Sequence, residues 1–276
     1  MADEWKGTVA EVSDRWGVGA AYDAYMGRWS RRLASVFVEW LGAPPRGHWL
    51  DVGCGTGALT DAICEHGAPA SVVACDPSGP FLEAASSTLP DKRVAFELGD
   101  ADHLPEREAG YDAIVSGLVL NFVPDAERAL AAMRRRLSPS GLLAAYVWDY
   151  TAGVQFIQHF WDAAVSLDPH AARLDERHRF ARFDGAWLSS AFHALGLERV
   201  ESARLSLPTP FASFTDYWEP FLGRTGPAPS YVASLDVAGR ERLAARLRER
   251  LPIAEDGGIR LEASAWAVRG RCAESA

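Results

Sequence analysis

At 276 residues, 48% hydrophobic and 24% charged, the chain has the make-up of an ordinary globular protein and can bury a sizeable core. Its 37 acidic and 28 basic residues leave a formal net charge of −9, which argues against a nucleic-acid partner held through its phosphates. No apolar run approaches the ~20 residues of a membrane span, so no membrane partner is expected. The acidic start MADEWKGTVAEV lacks the layout of a secretory signal. Cys54, Cys64, Cys75 and Cys272 show no CxxC spacing. They read as buried small side chains of a cytoplasmic protein, with no metal site expected.

In chain order, SRRLASVFVEWL is spaced as a helix stopped by Gly42 and the breaker APPRG. A short buried strand HWLDVG follows, then the helix ALTDAICEH closed by Gly67, the strand ASVVACD and the helix GPFLEAASST. RVAFELGD reads as a third strand, GYDAIVSGLVL as a fourth, AERALAAMRRRLS as a helix and GLLAAYVWDY as a fifth strand. This alternation predicts an α/β fold with a doubly wound, mostly parallel seven-stranded sheet. After Tyr150 the rhythm changes. A helix TAGVQFIQHFWDAAVSL is followed by a charged connecting segment over 168–185, the helix AWLSSAFHALGL and a sixth strand ERVESARLSLPTPF. A helical region broken by Pro and Gly, the helix AGRERLAARLRERL and a last strand GIRLEASAWAVRG complete the chain. The expected organisation is a single domain over 1–276. It comprises an N-terminal helical cover (1–42), a cofactor-binding core (43–150), a helical cap with the sixth strand (151–250) and the last strand (251–276).

The stretch HWLDVGCGTGALT carries the chemistry. A strand ending in a glycine loop that opens a helix offers backbone N–H groups and a helix dipole to a polar or anionic group. Gly53-x-Gly55-x-x-Ala58 also satisfies the dinucleotide fingerprint, with Asp76 ending the next strand where an acid grips a ribose. The loop alone therefore leaves a dinucleotide and other adenosyl cofactors open. Asp51 weighs against a pyrophosphate, because it would place a carboxylate beside it, whereas a cationic ammonium or sulfonium would suit it.

Five stretches in order, LDVGCGTG, CDPS, GDADHLP, YDAIVSGLVLNFVPD and LSPSGLLAAYVW, resemble the motifs of the class I S-adenosylmethionine-dependent methyltransferases. The similarity is to the small-molecule branch that includes the quinone-biosynthesis enzymes and covers about the first 150 residues. Ser140-Gly141 stands where that family often has Gly-Gly. The resemblance implies S-adenosylmethionine as cofactor. It implies that Gly53, Gly55, Thr56 and Gly57 wrap the methionyl part, that Asp76 accepts the ribose hydroxyls and that Pro77 lies against the adenine. Asp100 and the N–H of Ala101 would read the adenine edge, and Ser116 and Gly117 would floor the site beneath the sulfur. AAYDAYMGRWSRR is similar to a segment that closes over the cofactor in related methyltransferases. Arg28 or Arg32, one helical turn apart, would meet the cofactor carboxylate and Tyr25 would face the methyl group, unless the segment only anchors a helix on the core.

Methyl transfer from a sulfonium requires an acceptor held in line at ~3 Å in a dry site. Tyr25, Asn121 and Trp148 are the candidates to act there. Asn121 follows the fourth strand, and Trp148, Asp149 and Tyr150 end the fifth on the ligand-binding edge. His159, His170, His178 and His193 read as surface or core-edge residues. Phe156, Phe160, Trp161, Phe211, Phe214, Tyr217 and Trp218 read mainly as cap core. The expected function is methyl transfer to a small organic acceptor. The alternatives are an NAD(P)-dependent oxidoreductase, for which no Tyr-x-x-x-Lys is present, and a non-catalytic binding protein.

Overall fold

A computed structural model describes residues 23–43, 45–101, 103–223 and 226–273. Residues 1–22, the first part of the expected cover, lie outside them, as does the stretch compared with a secretory signal. A π-helical turn, Asp23–Gly27, runs into α1 (Arg28–Leu41). Trp29, Leu33, Phe37 and Leu41 share a face of that helix and are buried. Gly42 ends it at φ 56, a left-handed conformation that costs glycine little.

The first half then alternates as its periodicity predicts: β1 (His48–Val52), α2 (Ala58–His66), β2 (Ser71–Asp76), α3 (Gly79–Thr88), β3 (Val94–Leu98) and β4 (Tyr111–Gly117). α4 (Ala126–Arg135) and β5 (Leu137–Trp148) complete it. β4 stops short of the expected Leu120. Leu118 takes φ 62 and donates its N–H to the Tyr146 carbonyl at 2.8 Å, and the chain turns into a 3-10 turn over Leu120–Phe122. The second half comprises α5 (Gln155–Leu167), α6 (Glu176–Arg179), α7 (Gly185–Ala194), β6 (Glu198–Phe211), α8 (Phe214–Trp218), α9 (Pro227–Ser234), α10 (Val237–Arg250) and β7 (Ile259–Arg271). The segment read as a charged connection thus holds a 3-10 turn, Pro169–Arg173, and the helix α6. Its acids cap these turns: Asp168 accepts from the His170 N–H and Asp175 from that of Arg177.

The seven strands form one sheet in the order β3-β2-β1-β4-β5-β7-β6. β1, β2, β3, β4 and β5 pair parallel, while β7 runs antiparallel to both β5 and β6. The order reverses between β1 and β4, so successive crossovers leave in opposite directions there. The resulting crevice opens at the carboxyl ends of the strands, where doubly wound sheets bind ligands.

Three contacts fix the elements around that crevice. Phe37 of α1 packs on Tyr146 of β5 with ring centroids 4.4 Å apart. Arg28 pairs with Asp216 of α8 at 2.8 Å while lying over the rings of Trp29 and Phe211. Asp51 of β1 accepts from the Thr60 hydroxyl of α2 at 2.7 Å, and its other oxygen is buried without a partner. The four cysteines are free and buried. Among the described residues, no helix is long and apolar enough to cross a membrane.

Phe37→Ala is expected to cost about 3–5 kcal/mol of stability, read from urea denaturation. Burial pushes the Asp51 carboxyl up from 3.8 to about 7, so folding holds its proton where the unfolded chain releases it. Its contribution to stability is intact below about pH 4 and lost as pH rises towards 7. Asp51→Asn should flatten that fall, gaining on the wild type by on the order of 3 kcal/mol between pH 4 and 7.5. Parallel stability curves would exclude Asp51 as its source.

Candidate functional site

The crevice contains a cavity of about 610 Å³. One end is built by the loops after β1, β2 and β3. The run Gly53-Cys54-Gly55 can turn there because Gly53 and Gly55 sit at φ 76 and 54, a region that side chains disfavour. At Gly55 a Cβ would meet nothing within 4 Å, so the bare backbone faces open space. Thr56 follows on the wall, at the entry to α2.

Asp76, only 7% exposed, ends β2 on the same wall. One carboxylate oxygen accepts the Gly55 N–H at 3.0 Å and the other the Ser78 N–H at 2.8 Å. Desolvation pushes its pKa up, and the two N–H groups pull it back. Pro77, Asp100 and Ala101 continue this wall. The Asp100 side chain accepts from the His103 N–H at 2.8 Å, which shapes the turn after β3.

The other end is lined by Leu118, Val119 and Phe122 beyond β4, by Tyr146 and Trp148 of β5 and Tyr150 just after it, and by Met26 and Ser30 from the N-terminal segment. Gly117 lies between the two ends. A Cβ there would fall 2.6 Å from the Tyr146 hydroxyl, so this ring crosses the strand only because residue 117 has no side chain.

Several expected site residues lie elsewhere. Gly57 lies off the described wall and donates its N–H to the Cys54 carbonyl at 2.9 Å, because it closes the turn that starts α2. Ser116 is fully buried and donates to the Val52 carbonyl at 2.9 Å, tying β4 to β1. Tyr25 packs against Phe156 and Phe221, since the π-helical turn directs its ring into the aromatic core and Met26 to the cavity. Arg28 is held by Asp216, and Arg32 is exposed with its guanidinium near the Trp29 ring. Neither arginine lines the cavity among the described residues. Asn121 is buried in the 3-10 turn, off the described wall, with an unpartnered side-chain N–H.

Trp148 and Tyr150 stand on the wall as the strand edge implied. No described lining residue comes from beyond Tyr150: the aromatics of 156–221, read as cap core, pack on one another and on Tyr25 and Trp29. His170, His178 and His193 are exposed and His159 is partly buried. Sequence reasoning missed Met26, Ser30, Phe81 and Tyr146 on the wall. The alternation along β5, which puts Tyr146, Trp148 and Tyr150 at every second position, was the available signal for Tyr146.

Residues 50–145 match the methyltransferase domain family. The chain is 30% identical over 130 residues to the demethylmenaquinone methyltransferase of Lactobacillus johnsonii, covering 45% of this chain and 53% of that protein. The chain thus spans about half the length of that relative and less of several others. To the malonyl-[acyl-carrier protein] O-methyltransferase of Geobacter sulfurreducens it is 33% identical over 192 residues, 66% of this chain and 68% of that protein. Phosphoethanolamine N-methyltransferase 2 of Haemonchus contortus, solved with phosphomonomethylethanolamine and S-adenosylhomocysteine, shares the fold at TM-score 0.56. Its sequence is 15% identical, over 92% of this chain and 56% of that one. Five ordered motifs, the strand order and a relative covered over more than two thirds of its length place this protein in the class I S-adenosylmethionine-dependent methyltransferase family.

Proposed function

We propose that the chain transfers a methyl group from S-adenosylmethionine, the cofactor of its family, to a small organic acceptor. The observation that carries this reading is one cavity with two chemically different ends. The polar end, made by bare loop backbone and the Asp76 and Asp100 carboxylates, suits an adenosyl group. The other end is mainly aromatic and aliphatic, with Asp125 and Arg128 beyond Phe122 also on the cavity wall.

The residues present fit the cofactor. The open space above Gly55 admits a ligand against the backbone, and the Asp76 oxygens, each accepting one N–H, retain lone pairs for ribose hydroxyls. Gly53, Gly55 and Thr56 would hold the methionyl part. Pro77, Asp100 and Ala101 would hold the adenine, and Gly117 would lie beneath the sulfur. The partnerless, buried oxygen of Asp51 suits a nearby ammonium, which would favour its ionised form. When bound, the cofactor supplies a methyl group already activated on a sulfonium.

The chain's own part is to orient the acceptor and exclude water. Trp148 and Tyr150, each under 5% exposed, and the half-buried Phe122 offer flat apolar surface to an acceptor with an aromatic or otherwise apolar body. The polar residues at this end are Tyr146, Tyr150 and Ser30, whose hydroxyl donates to the Met26 carbonyl at 3.0 Å. The net charge of −9 favours such an acceptor over nucleic acid. Four free, buried cysteines suit a reducing cytoplasm.

Calorimetry is expected to show micromolar binding of S-adenosylhomocysteine and none of NAD(P). Asp76→Ala should weaken that binding by roughly 1.5–3 kcal/mol. Tight NAD binding with silence toward adenosylhomocysteine would overturn the reading. A screen of phenols, amines and carboxylic acids with methyl-labelled cofactor should label a small molecule. Labelling of tRNA or protein alone would count against a small acceptor. On the labelled acceptor, Trp148→Ala should lower turnover roughly tenfold or more with adenosylhomocysteine binding intact. Full activity would move the acceptor elsewhere.

A further inference from the structure

The short helix α6 has no part in the cavity wall, yet two of its neighbours do. Phe180, which caps α6 by donating its N–H to the Glu176 carbonyl at 2.9 Å, packs its ring on Tyr150 (centroids 5.1 Å apart) and edge-on to Phe122 (5.2 Å). Tyr150 follows β5 and Phe122 belongs to the turn after β4, and both line the aromatic end of the cavity. One buried ring from the inserted region therefore backs two otherwise separate pieces of wall.

α6 is fastened to α5 on two sides. On the inside, the Trp161 indole N–H of α5 donates to the Glu176 carboxylate, and Glu176 is 2% exposed. On the outside, the Arg177 guanidinium bridges Asp175 at 2.6 Å and Asp162 of α5 at 2.7 Å. A buried carboxyl held by an indole and an arginine clamp on its neighbour are more than a connecting segment needs, since connections ordinarily run solvated over the surface.

We propose that Phe180 is a positioning residue for the acceptor end of the cavity, locked against Tyr150 and Phe122 by the Glu176–Trp161 bond and the Arg177–Asp162 pair. This rests on reading that end as the acceptor site. The lock carries a pH dependence. Burial pushes the Glu176 carboxyl up to about 8, so it is neutral at neutral pH. Its own backbone N–H, the Trp161 N–H and Arg179 favour the anion, and Asp175 opposes it. The buried Tyr25 hydroxyl of the π-helical turn is also within electrostatic reach. Above about pH 8 the charge appears in an apolar seam, and the grip on Phe180 weakens.

The test is hydrogen–deuterium exchange of the full chain, normalised to intrinsic rates. Phe180→Ala should speed exchange over 118–123 and 149–154 roughly tenfold or more, with α1 and β1 unchanged. The adenosylhomocysteine Kd should stay within about twofold, because the polar end is untouched. Phe180→Leu, which keeps the bulk, serves if the alanine variant does not fold. Glu176→Gln retains an acceptor for Trp161 without the charge. It should match the wild type at pH 7 and exchange more slowly than the wild type over the same segments at pH 9. Unchanged exchange in the Phe180 variants, or acceleration spread over the whole chain, overturns the proposal. Equal exchange of Glu176→Gln and wild type at pH 9 removes Glu176 from the lock. On an acceptor found by the label screen, Phe180→Ala should raise KM several-fold. Failure of that screen counts against the acceptor reading alone, since exchange reports the lock without an acceptor.

Discussion

A single carboxylate decides the shape of the polar end of the cavity. Asp76 accepts one N–H from the glycine loop after β1 and one from the start of α3. Two crossovers that leave the sheet side by side are thereby tied at one charged point. Charge-assisted bonds to backbone donors are stronger than neutral ones, and burial strengthens them further. The same loop also donates the Gly53 and Cys54 N–H groups to the Cys75 carbonyl, and Ser78 caps α3, so the acid joins two pieces of backbone that are each already anchored. The position of the carboxylate follows from β2 lying beside β1 in register, with Cys75 opposite Val52. The sheet order therefore reaches the cavity through this acid.

The aromatic end depends on layers behind it in the same way. Tyr146 lies on the wall, crosses Gly117 and rests on Phe37 of α1. Tyr150 and Phe122 rest on Phe180. Three of the rings on this wall thus rest on rings that lie outside the cavity. In a core packed as densely as an organic crystal, a change in the outer rings is transmitted to the wall.

The sheet was readable because strand and helix periods alternate cleanly from His48 to Trp148, and the polar end was readable because its glycines and acids sit at strand ends. Asp76, Pro77, Asp100 and Ala101 line the wall, where five ordered motifs implied they would. The sequence was less informative wherever neighbouring residues in one turn face opposite ways. Gly55 and Gly57 are two residues apart, but only Gly55 faces the cavity, because the N–H of Gly57 closes the turn. Ser116 and Gly117 alternate along a strand, so one faces β1 and the other the cavity. In the π-helical turn Tyr25 and Met26 point to different places, since this turn does not follow the 3.6-residue period from which a face is read. Glu176 was unreadable for another reason: a lone acid in a run of charges gives no sign that an indole fifteen residues earlier will bury it.

The four cysteines carry a practical consequence. None is given a part in methyl transfer, although Cys54 lines the cavity, and all are buried, with the Cys64 and Cys75 thiols pushed up to about 12 by desolvation. A thiol that ionises so reluctantly barely reacts with alkylating reagents while the fold is closed. Cys54 lies in the glycine loop, Cys75 ends the neighbouring strand just before Asp76, and Cys272 sits beyond the last strand at the other side of the sheet. The native chain thus contains its own set of footprinting probes. The order in which these sulfurs become alkylated records which part of the molecule breathes first, with no engineered label.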